Sequence, residues 1–273
     1  STPRCGGLWA ATSTPPADSC AGKHKGNGVR ILRIQTATDV GMVRDENQDR
    51  VETLQLEDGV LAVVCDGMGG ERSGGEASRL AIGEAVSHFK EGYHAGMNGS
   101  EIKQLLCASI SAANSVVYTK SKLDYKNFGM GTTCVMAYVD DTMLHVANVG
   151  DSRAYLLQGL SPLEQLTVDH TVVQMLLAQG KITREEMKSH PQRNMLTRAI
   201  GVERTVKPDY FEQTHEPRFL VLLCSDGLSS YCSKDEITQA LREQSFETVC
   251  GRLVDMANQK GGRDNITLAI ISD

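Results

Sequence analysis

Residues 50–70 read RVETLQLEDGVLAVVCDGMGG. Two short apolar runs, at 50–56 and 60–65, flank an Asp-Gly pair, which supplies the positive φ angles that a tight hairpin needs. The second run ends directly at Asp66 and a glycine-rich segment. The pattern therefore predicts two antiparallel strands, the second of which delivers an aspartate to the edge of a sheet.

The pattern around this hairpin groups strands apart from helices. Apolar runs and helical periodicities predict the elements in the following order. Strands are expected at 29–36, 50–56, 60–65, 132–139, 143–149, 154–158, 210–213, 219–225 and 265–272, and helices at 75–91, 99–122, 171–179, 183–189, 233–244 and 246–259. Such grouping indicates an α+β fold with antiparallel sheets rather than an alternating parallel one.

The composition of the chain argues against two classes of partner, membranes and nucleic acids. The longest apolar run, at 219–224, is far shorter than the roughly 20 residues of a membrane-spanning helix. The net charge of -6 gives no positive excess for a nucleic-acid backbone. The eight cysteines are scattered without a CxxC pair, so we expect reduced thiols in a cytoplasmic protein. Neither a membrane nor a nucleic acid is expected as a partner.

The chain divides into two unequal parts. Residues 1–28 carry Gly, Pro, Ser and Thr without a periodic apolar pattern, and we expect them to be a flexible N-terminal tail. Residues 29–273 hold all the predicted elements and are expected to form one catalytic domain. We expect a polar segment at about 169–201 to lie outside the sheets.

Four aspartates stand beside predicted strands and carry the clearest chemical signal. Asp66, Asp226 and Asp264 each adjoin a Gly or an Asn, and Asp49 ends the segment Asn47-Gln48-Asp49. Any one of them could be a turn or cap residue. Four carboxylates at a single sheet edge would repel one another unless cations lay between them, and oxygen ligands select hard ions such as Mg²⁺ and Mn²⁺. The set predicts a carboxylate metal site.

The residues also resemble a known family over about 29–273. The motifs, in order, are VGMVRDENQD at 40–49, DGMGG at 66–70, GTT at 131–133, VGDSR at 149–153, SDGL at 225–228 and RDNIT at 263–267. This ordered set is similar to that of the metal-dependent Ser/Thr protein phosphatases of type 2C. Met68, where many eukaryotic members have a histidine, resembles the bacterial-type branch.

The resemblance implies a four-layer α-β-β-α sandwich with two central antiparallel sheets and two Mn²⁺ or Mg²⁺ ions at one edge. By motif, Asp66 would bridge both ions and the Gly67 carbonyl would bind one, with Asp226 and Asp264 completing the pair. Asp49 would orient metal-bound water from outside the ligand set. Asp151 resembles a residue that, with Asp226, forms a third, weaker site in bacterial-type members.

The implied reaction is hydrolysis of phosphoserine and phosphothreonine by in-line attack of a metal-bridging hydroxide. Arg44 matches the arginine that binds the substrate phosphate, for which a planar guanidinium is well suited; its alternative is a surface ion pair. Met68 cannot donate a proton to the leaving group, and His170 is a candidate acid whose alternative is a structural role. Arg193 and Arg198, in the segment that corresponds to the family's flap, could meet a phosphopeptide or be solvated surface charges.

Two other functions stay open at this point. A catalytically silent relative could bind phosphoproteins as an adaptor, although such relatives lose metal aspartates. A hydrolase of the same fold could act on a small phosphoester or nucleotide. The leading hypothesis is a monomeric phosphoprotein phosphatase that opposes a Ser/Thr protein kinase.

Overall fold

The computed structural model describes residues 32–69, 73–123, 127 and 129–273. The expected flexible tail, residues 1–28, lies outside the described residues. The strands are β1 (Arg33–Asp39), β2 (Asp49–Gln55), β3 (Gly59–Met68), β4 (Gly131–Thr132), β5 (Cys134–Asp140), β6 (Met143–Val149), β7 (Arg153–Gln158), β8 (Glu164–Gln165), β9 (Asp209–Thr214), β10 (Phe219–Cys224) and β11 (Ile266–Ser272). The helices are α1 (Ser73–Gly92), α2 (Gly99–Leu123), α3 (Val172–Ala178), α4 (Arg184–Ser189), α5 (Asp226–Ser229), α6 (Lys234–Glu243) and α7 (Phe246–Gln259).

The strands form two antiparallel sheets. One has the order β1-β11-β10-β7-β8, and the other has the order β2-β3-β5-β6-β9 with β4 paired to β3. The hairpin expected at 50–65 is present, and β2 pairs with β3 over its whole length. The chain crosses from one sheet to the other between β6 and β7, at Gly150–Ser152.

Alternating side chains in β3 show how the layers are built. Val60, Ala62 and Val64 face the other sheet, whereas Leu61 and Val63 face helices α1 and α2. All five are fully buried, so this strand is covered on both faces and reads as a continuous apolar run. The second sheet is covered in the same way by α6 and α7. The result is the four-layer α-β-β-α sandwich.

Helix α6 shows why the polar segments between strands fold locally. Ser233 and Glu236 form a capping box, in which each side chain bonds the backbone N–H of the other residue. Its apolar stripe, Ile237, Ala240 and Leu241, is buried against the sheet. Within the part of the chain that the structure describes, no helix combines the length and the apolar character that crossing a membrane requires.

The observed elements differ from the sequence prediction at a few places. The first strand begins at Arg33 and runs to Asp39, later than the predicted 29–36. The two-residue strands β4 and β8 and the single-turn helix α5 were not expected. Elements this short contain only about one repeat of the strand or helix period, so their sequence carries no recognisable periodic signal.

Candidate metal centre

Two carboxylates of the six-stranded sheet face each other across β2 and β3. Asp49, the first residue of β2, pairs in register with Asp66 near the end of β3. Asp49 is 2% exposed, and its Oδ2 accepts a 2.6 Å hydrogen bond from the Ser225 hydroxyl. Its Oδ1 is buried without a hydrogen-bond partner among the described residues. Such an orphaned acceptor indicates a place for an ion or an ordered water.

The other sheet supplies two more carboxylates at the same edge. Asp226 stands two residues after β10, at the start of α5, and Asp264 stands two residues before β11. These neighbouring strand ends approach so closely that a Cβ atom at Gly227 would lie 1.9 Å from the Asn265 carbonyl oxygen. Only glycine fits there, which explains the Asp-Gly pair after β10.

Asp66, Asp226 and Asp264 line an open groove of about 660 Å³, whereas Asp49 is buried next to Asp66 and does not line it. Gly67 also borders the groove, and a Cβ atom at this position would lie 2.2 Å from the Gly74 carbonyl oxygen. The groove combines acidic, basic, amide and apolar side chains. Its lining consists of Val43, Arg44, Asp45, Glu46, Gln48, Asp66, Gly67, Met68, Gly69, Thr133, Asp151, Asn194, Leu196, Asp226, Asp264 and Asn265.

Electrostatics at this edge favour a bound cation. Burial, followed by the negative charges of Asp49 and Asp226, raises the pKa of Asp66 well above its usual range. Burial, followed by the charge of Asp151, raises the pKa of Asp226 to about 8. Burial also raises the pKa of Asp49 to about 6. The ionised carboxylates repel one another here, and a divalent cation would relieve that repulsion.

The donor set fits a hard divalent ion. Carboxylate and carbonyl oxygens are the ligands that Mg²⁺ and Mn²⁺ take, usually together with several waters. In the described residues, no three acidic, histidine or cysteine side chains already converge as the ligands of one ion. Asp264 Oδ2 lies 2.8 Å from Arg44 Nη2. Ion binding by Asp264 would exchange this ion pair for a metal contact.

Arg44 lies on a loop that is firmly held. The Asn265 side chain donates to the carbonyl oxygens of Val40 and Glu46 and accepts from the Gln48 N–H. The Arg44 side chain is 55% exposed and borders the groove. The loop therefore presents a fixed cation to any anion that enters beside the carboxylates.

Asp151 enters the groove from the crossing between the sheets. It follows Gly150, whose φ of +107° and close approach to Thr133 exclude a larger residue. The Thr133 and Ser152 hydroxyls are 2.6 Å apart and fully buried, which ties the two sheets together behind Asp151. Burial raises the pKa of Asp151 to about 6, with Asp169 as the next cause.

The segment at 169–201 contains α3 and α4 and reaches the groove through Asn194 and Leu196. His170 does not line the groove: its ring is buried and bonds Gly150 and Asp209. The structure thus supports a structural role for His170 over that of a proton donor to a leaving group.

Other residues of the sequence prediction have different surroundings. Arg198 is held by Asp209 at 2.6 Å, so its charge is already paired. Arg193 is exposed and donates a 3.4 Å hydrogen bond to the Lys188 carbonyl oxygen. Met68 lines the groove and brings no proton donor to it.

The sequence prediction missed three residues that support the site. Ser225 bonds Asp49, Asn265 holds the Arg44 loop, and the Thr133 hydroxyl accepts from the Asp66 N–H at 2.9 Å. Each stands beside a motif aspartate or within a motif. Their adjacency to those motifs was the only available signal, because their partners are distant in sequence.

Comparison with known proteins gives concordant matches. A sequence profile described as protein phosphatase 2C matches residues 43–268. The Ser/Thr phosphatase stp of Listeria welshimeri is 38% identical over 88% of this chain and 95% of its own length. The structure of the Ser/Thr phosphatase Stp1 from Staphylococcus aureus has a TM-score of 0.82 and 34% identity, covering 89% of this chain and 96% of that one. The catalytic domain of the Ser/Thr protein phosphatase PstP, solved in complex with two manganese ions, has a TM-score of 0.77 and 33% identity, covering 89% and 99%.

Proposed function

This chain belongs to the protein phosphatase 2C family and is a metal-dependent protein-serine/threonine phosphatase, and we propose that Asp66, Asp226, Asp264 and the Gly67 carbonyl hold its two ions. The observation that carries this assignment is the meeting of carboxylates from both sheets beside one groove that also contains Arg44. The raised pKa values of Asp66 and Asp226 support it, because a bound cation would stabilise the charged forms of these partly buried carboxylates.

The chain's own residues account for binding and orientation of the substrate. Arg44 offers two parallel N–H groups to the phosphate oxygens and exchanges Asp264 for the substrate. Asp49 Oδ1, a buried acceptor without a partner in the described residues, orients the water that attacks phosphorus opposite the serine or threonine oxygen. The bond from phosphorus to that oxygen breaks, and the leaving oxygen takes its proton from water because Met68 has none to give.

Two divalent ions, when bound, supply acidification of water and neutralisation of the phosphoryl charge. Either Mn²⁺ or Mg²⁺ would suit the oxygen donors of this edge. We also assign Asp151, together with Asp226, to a third and weaker site. Both side chains border the groove. The charge of Asp151 raises the pKa of Asp226, and the charges of both raise the pKa of Asp66.

The biological setting follows from the reaction class. The substrates would be phosphorylated proteins, and a Ser/Thr protein kinase would supply them. We propose that the catalytic domain spans residues 29–273, acts as a monomer and works in the cytoplasm. The free thiols of the described cysteines, such as Cys65 and Cys134, are compatible with a reducing compartment.

The test is phosphate release from a phosphothreonine peptide with Mn²⁺, with Mg²⁺ and with EDTA. We expect release to require a divalent ion and to fall at least about a hundredfold in Asp226→Asn, because a ligand charge is lost. Asp255→Asn, which changes an exposed aspartate of α7, is the matched control and should retain wild-type activity. Full activity of Asp226→Asn would refute the ligand assignment. Hydrolysis of p-nitrophenyl phosphate without hydrolysis of the peptide would favour a small-phosphoester substrate.

A further inference from the structure

His170 bonds the same glycine with its ring and with its backbone. Nδ1 of the ring accepts a 3.0 Å hydrogen bond from the Gly150 N–H. The His170 N–H donates to the Gly150 carbonyl oxygen, also at 3.0 Å. His170 therefore bonds both polar backbone groups of this crossing residue, whose carbonyl oxygen also accepts a 3.3 Å hydrogen bond from the Asn148 side-chain amide.

The opposite side of the His170 ring bonds Asp209, the first residue of β9, which in turn holds Arg198 near the end of the flap, residues 169–201. Nε2 lies 3.0 Å from Asp209 Oδ2, and Asp209 Oδ1 accepts a 2.6 Å hydrogen bond from Arg198. The His170 carbonyl oxygen accepts from the Thr197 N–H at 2.8 Å. One buried residue thus connects the beginning of the flap, its end and the crossing between the sheets.

The partners of the ring determine its protonation. A backbone N–H can only donate, so Nδ1 carries no proton and Nε2–H donates to Asp209. Burial, the largest cause, lowers the pKa of His170 below its ordinary value, which favours the neutral ring that this network requires. Both nitrogens are committed, so the ring has no proton to offer in the groove.

Gly150 leads directly into Asp151, a residue of the groove lining. Its backbone has a φ of +107°, and a Cβ atom would lie 2.6 Å from Thr133. The turn is therefore confined on one side by Thr133 and bonded on the other by His170. The direction of the Asp151 carboxylate depends on this turn.

We propose that His170 is a positioning residue that fixes the flap and the Gly150–Asp151 turn relative to each other through its two ring nitrogens. Nδ1 sets the turn that presents Asp151 to the metal edge, and Nε2 sets the flap through Asp209 and Arg198. The role of Asp151 as a metal ligand rests on the proposed function, whereas the two hydrogen bonds of the His170 ring do not depend on it. His170 touches neither substrate nor ion and acts through its neighbours.

Two substitutions separate the two contacts. His170→Asn places an amide oxygen near the position of Nδ1 and keeps an acceptor for Gly150, but it loses the bond to Asp209. His170→Gln reaches the position of Nε2 and keeps a donor for Asp209, but it leaves the Gly150 N–H without its acceptor. The readouts are Mn²⁺ binding by calorimetry, protease cleavage within the flap, and kcat and KM on a phosphothreonine peptide, with thermal unfolding as the measure of folding.

The proposal predicts that each variant loses a different property: His170→Gln loses Mn²⁺ affinity, and His170→Asn loses protection of the flap. A single buried hydrogen bond changes an equilibrium by about tenfold. In His170→Gln, the weakest of the Mn²⁺ binding steps should therefore lose about tenfold in affinity. Its flap should resist protease as in the wild type, and its KM for the peptide should stay near the wild-type value. His170→Asn should retain Mn²⁺ affinity, while flap cleavage accelerates and the peptide KM rises by about tenfold. Asp209→Asn, which leaves His170 intact, should reproduce the flap and KM effects of His170→Asn and serves if either histidine variant fails to fold.

A purely structural histidine would give a different result. Both variants would then change all three readouts together, in proportion to their loss of thermal stability, and that result would overturn the proposal. Unchanged Mn²⁺ binding in His170→Gln together with an unchanged flap in His170→Asn would overturn it too. Failure of the proposed function would look different, since wild-type protein would release no phosphate while calorimetry and proteolysis still separated the two variants.

Discussion

Replacing Ser225 by alanine should destabilise the protein by about 3 kcal/mol near pH 8 in EDTA. The buried hydroxyl donates to Asp49 Oδ2 at 2.6 Å and accepts from the Thr267 N–H at 3.0 Å. A hydrogen bond to a charged group contributes about 1.5–3 kcal/mol, and a buried N–H left without an acceptor costs about 1–3 kcal/mol. Local relaxation keeps the combined loss near the lower end of that sum. Against a total stability of about 5–15 kcal/mol, the change is large.

Urea unfolding of the wild type and of Ser225→Ala measures this loss. Ser230→Ala is the matched control, because that exposed serine makes no side-chain hydrogen bond in the described structure, and it should stay within about 0.5 kcal/mol of wild type. The loss should also depend on pH. The Ser225 hydrogen bond lowers the Asp49 pKa, which burial has raised to about 6, so the charged part of its contribution is present above pH 6 and disappears below it. A loss under 1 kcal/mol at pH 8, or one that grows toward pH 5, would refute this reasoning.

Three further results are expected. Arg44→Lys should raise KM for a phosphothreonine peptide about tenfold with kcat changed less than about threefold, because a lysine cannot bind two phosphate oxygens in parallel; a selective fall in kcat in steady-state assays would contradict this role. Gly150→Ala should lower the free energy of unfolding in urea by about 2–4 kcal/mol, because Gly150 has a positive φ and its Cβ would contact Thr133. Gly83→Ala, on the open face of α1, is the control and should raise that free energy by up to about 1 kcal/mol. Without divalent ions, stability should fall as pH rises from 6.5 to 8, because the folded-state pKa of Asp226 is about 8 against an ordinary 3.8 and folding retains a proton that the unfolded chain releases. Saturating Mn²⁺ should abolish that slope in the same titration, and a slope that persists would argue against ion binding at this edge.

The sequence of residues 50–70 predicts an important part of this architecture. The Asp-Gly hairpin and the apolar run of β3 need only local geometry to be predicted, and both are confirmed. The ends of consecutive antiparallel strands alternate between the two edges of a sheet. Asp66 and Asp264 adjoin strands of different sheets, so this alternation could not by itself place them together, and the resemblance of their motifs to a known family supplied that expectation.

Contacts over long sequence distances could not be predicted in this way. The Ser225 hydroxyl finds Asp49 and the Asn265 amide finds Val40 only after the sheets have packed. His170 illustrates the same limit, since an isolated histidine beside a loop is equally compatible with acid catalysis and with a structural role. Its burial and the two partners of its ring decide between them. The roles of the individual aspartates as ligands stay predictions.

The division of the carboxylates between the sheets has a consequence for the order of events in folding. Asp49 and Asp66 lie in strands of one sheet, whereas Asp226 and Asp264 flank strands of the other. On the proposed assignment, an ion finds its full set of ligands only after the two sheets have docked, so it cannot help to assemble either sheet beforehand. Mn²⁺ should therefore leave the refolding rate nearly unchanged and slow unfolding, because its stabilisation is gained after the transition state. Bound ions would therefore lengthen the lifetime of the native protein without accelerating its folding.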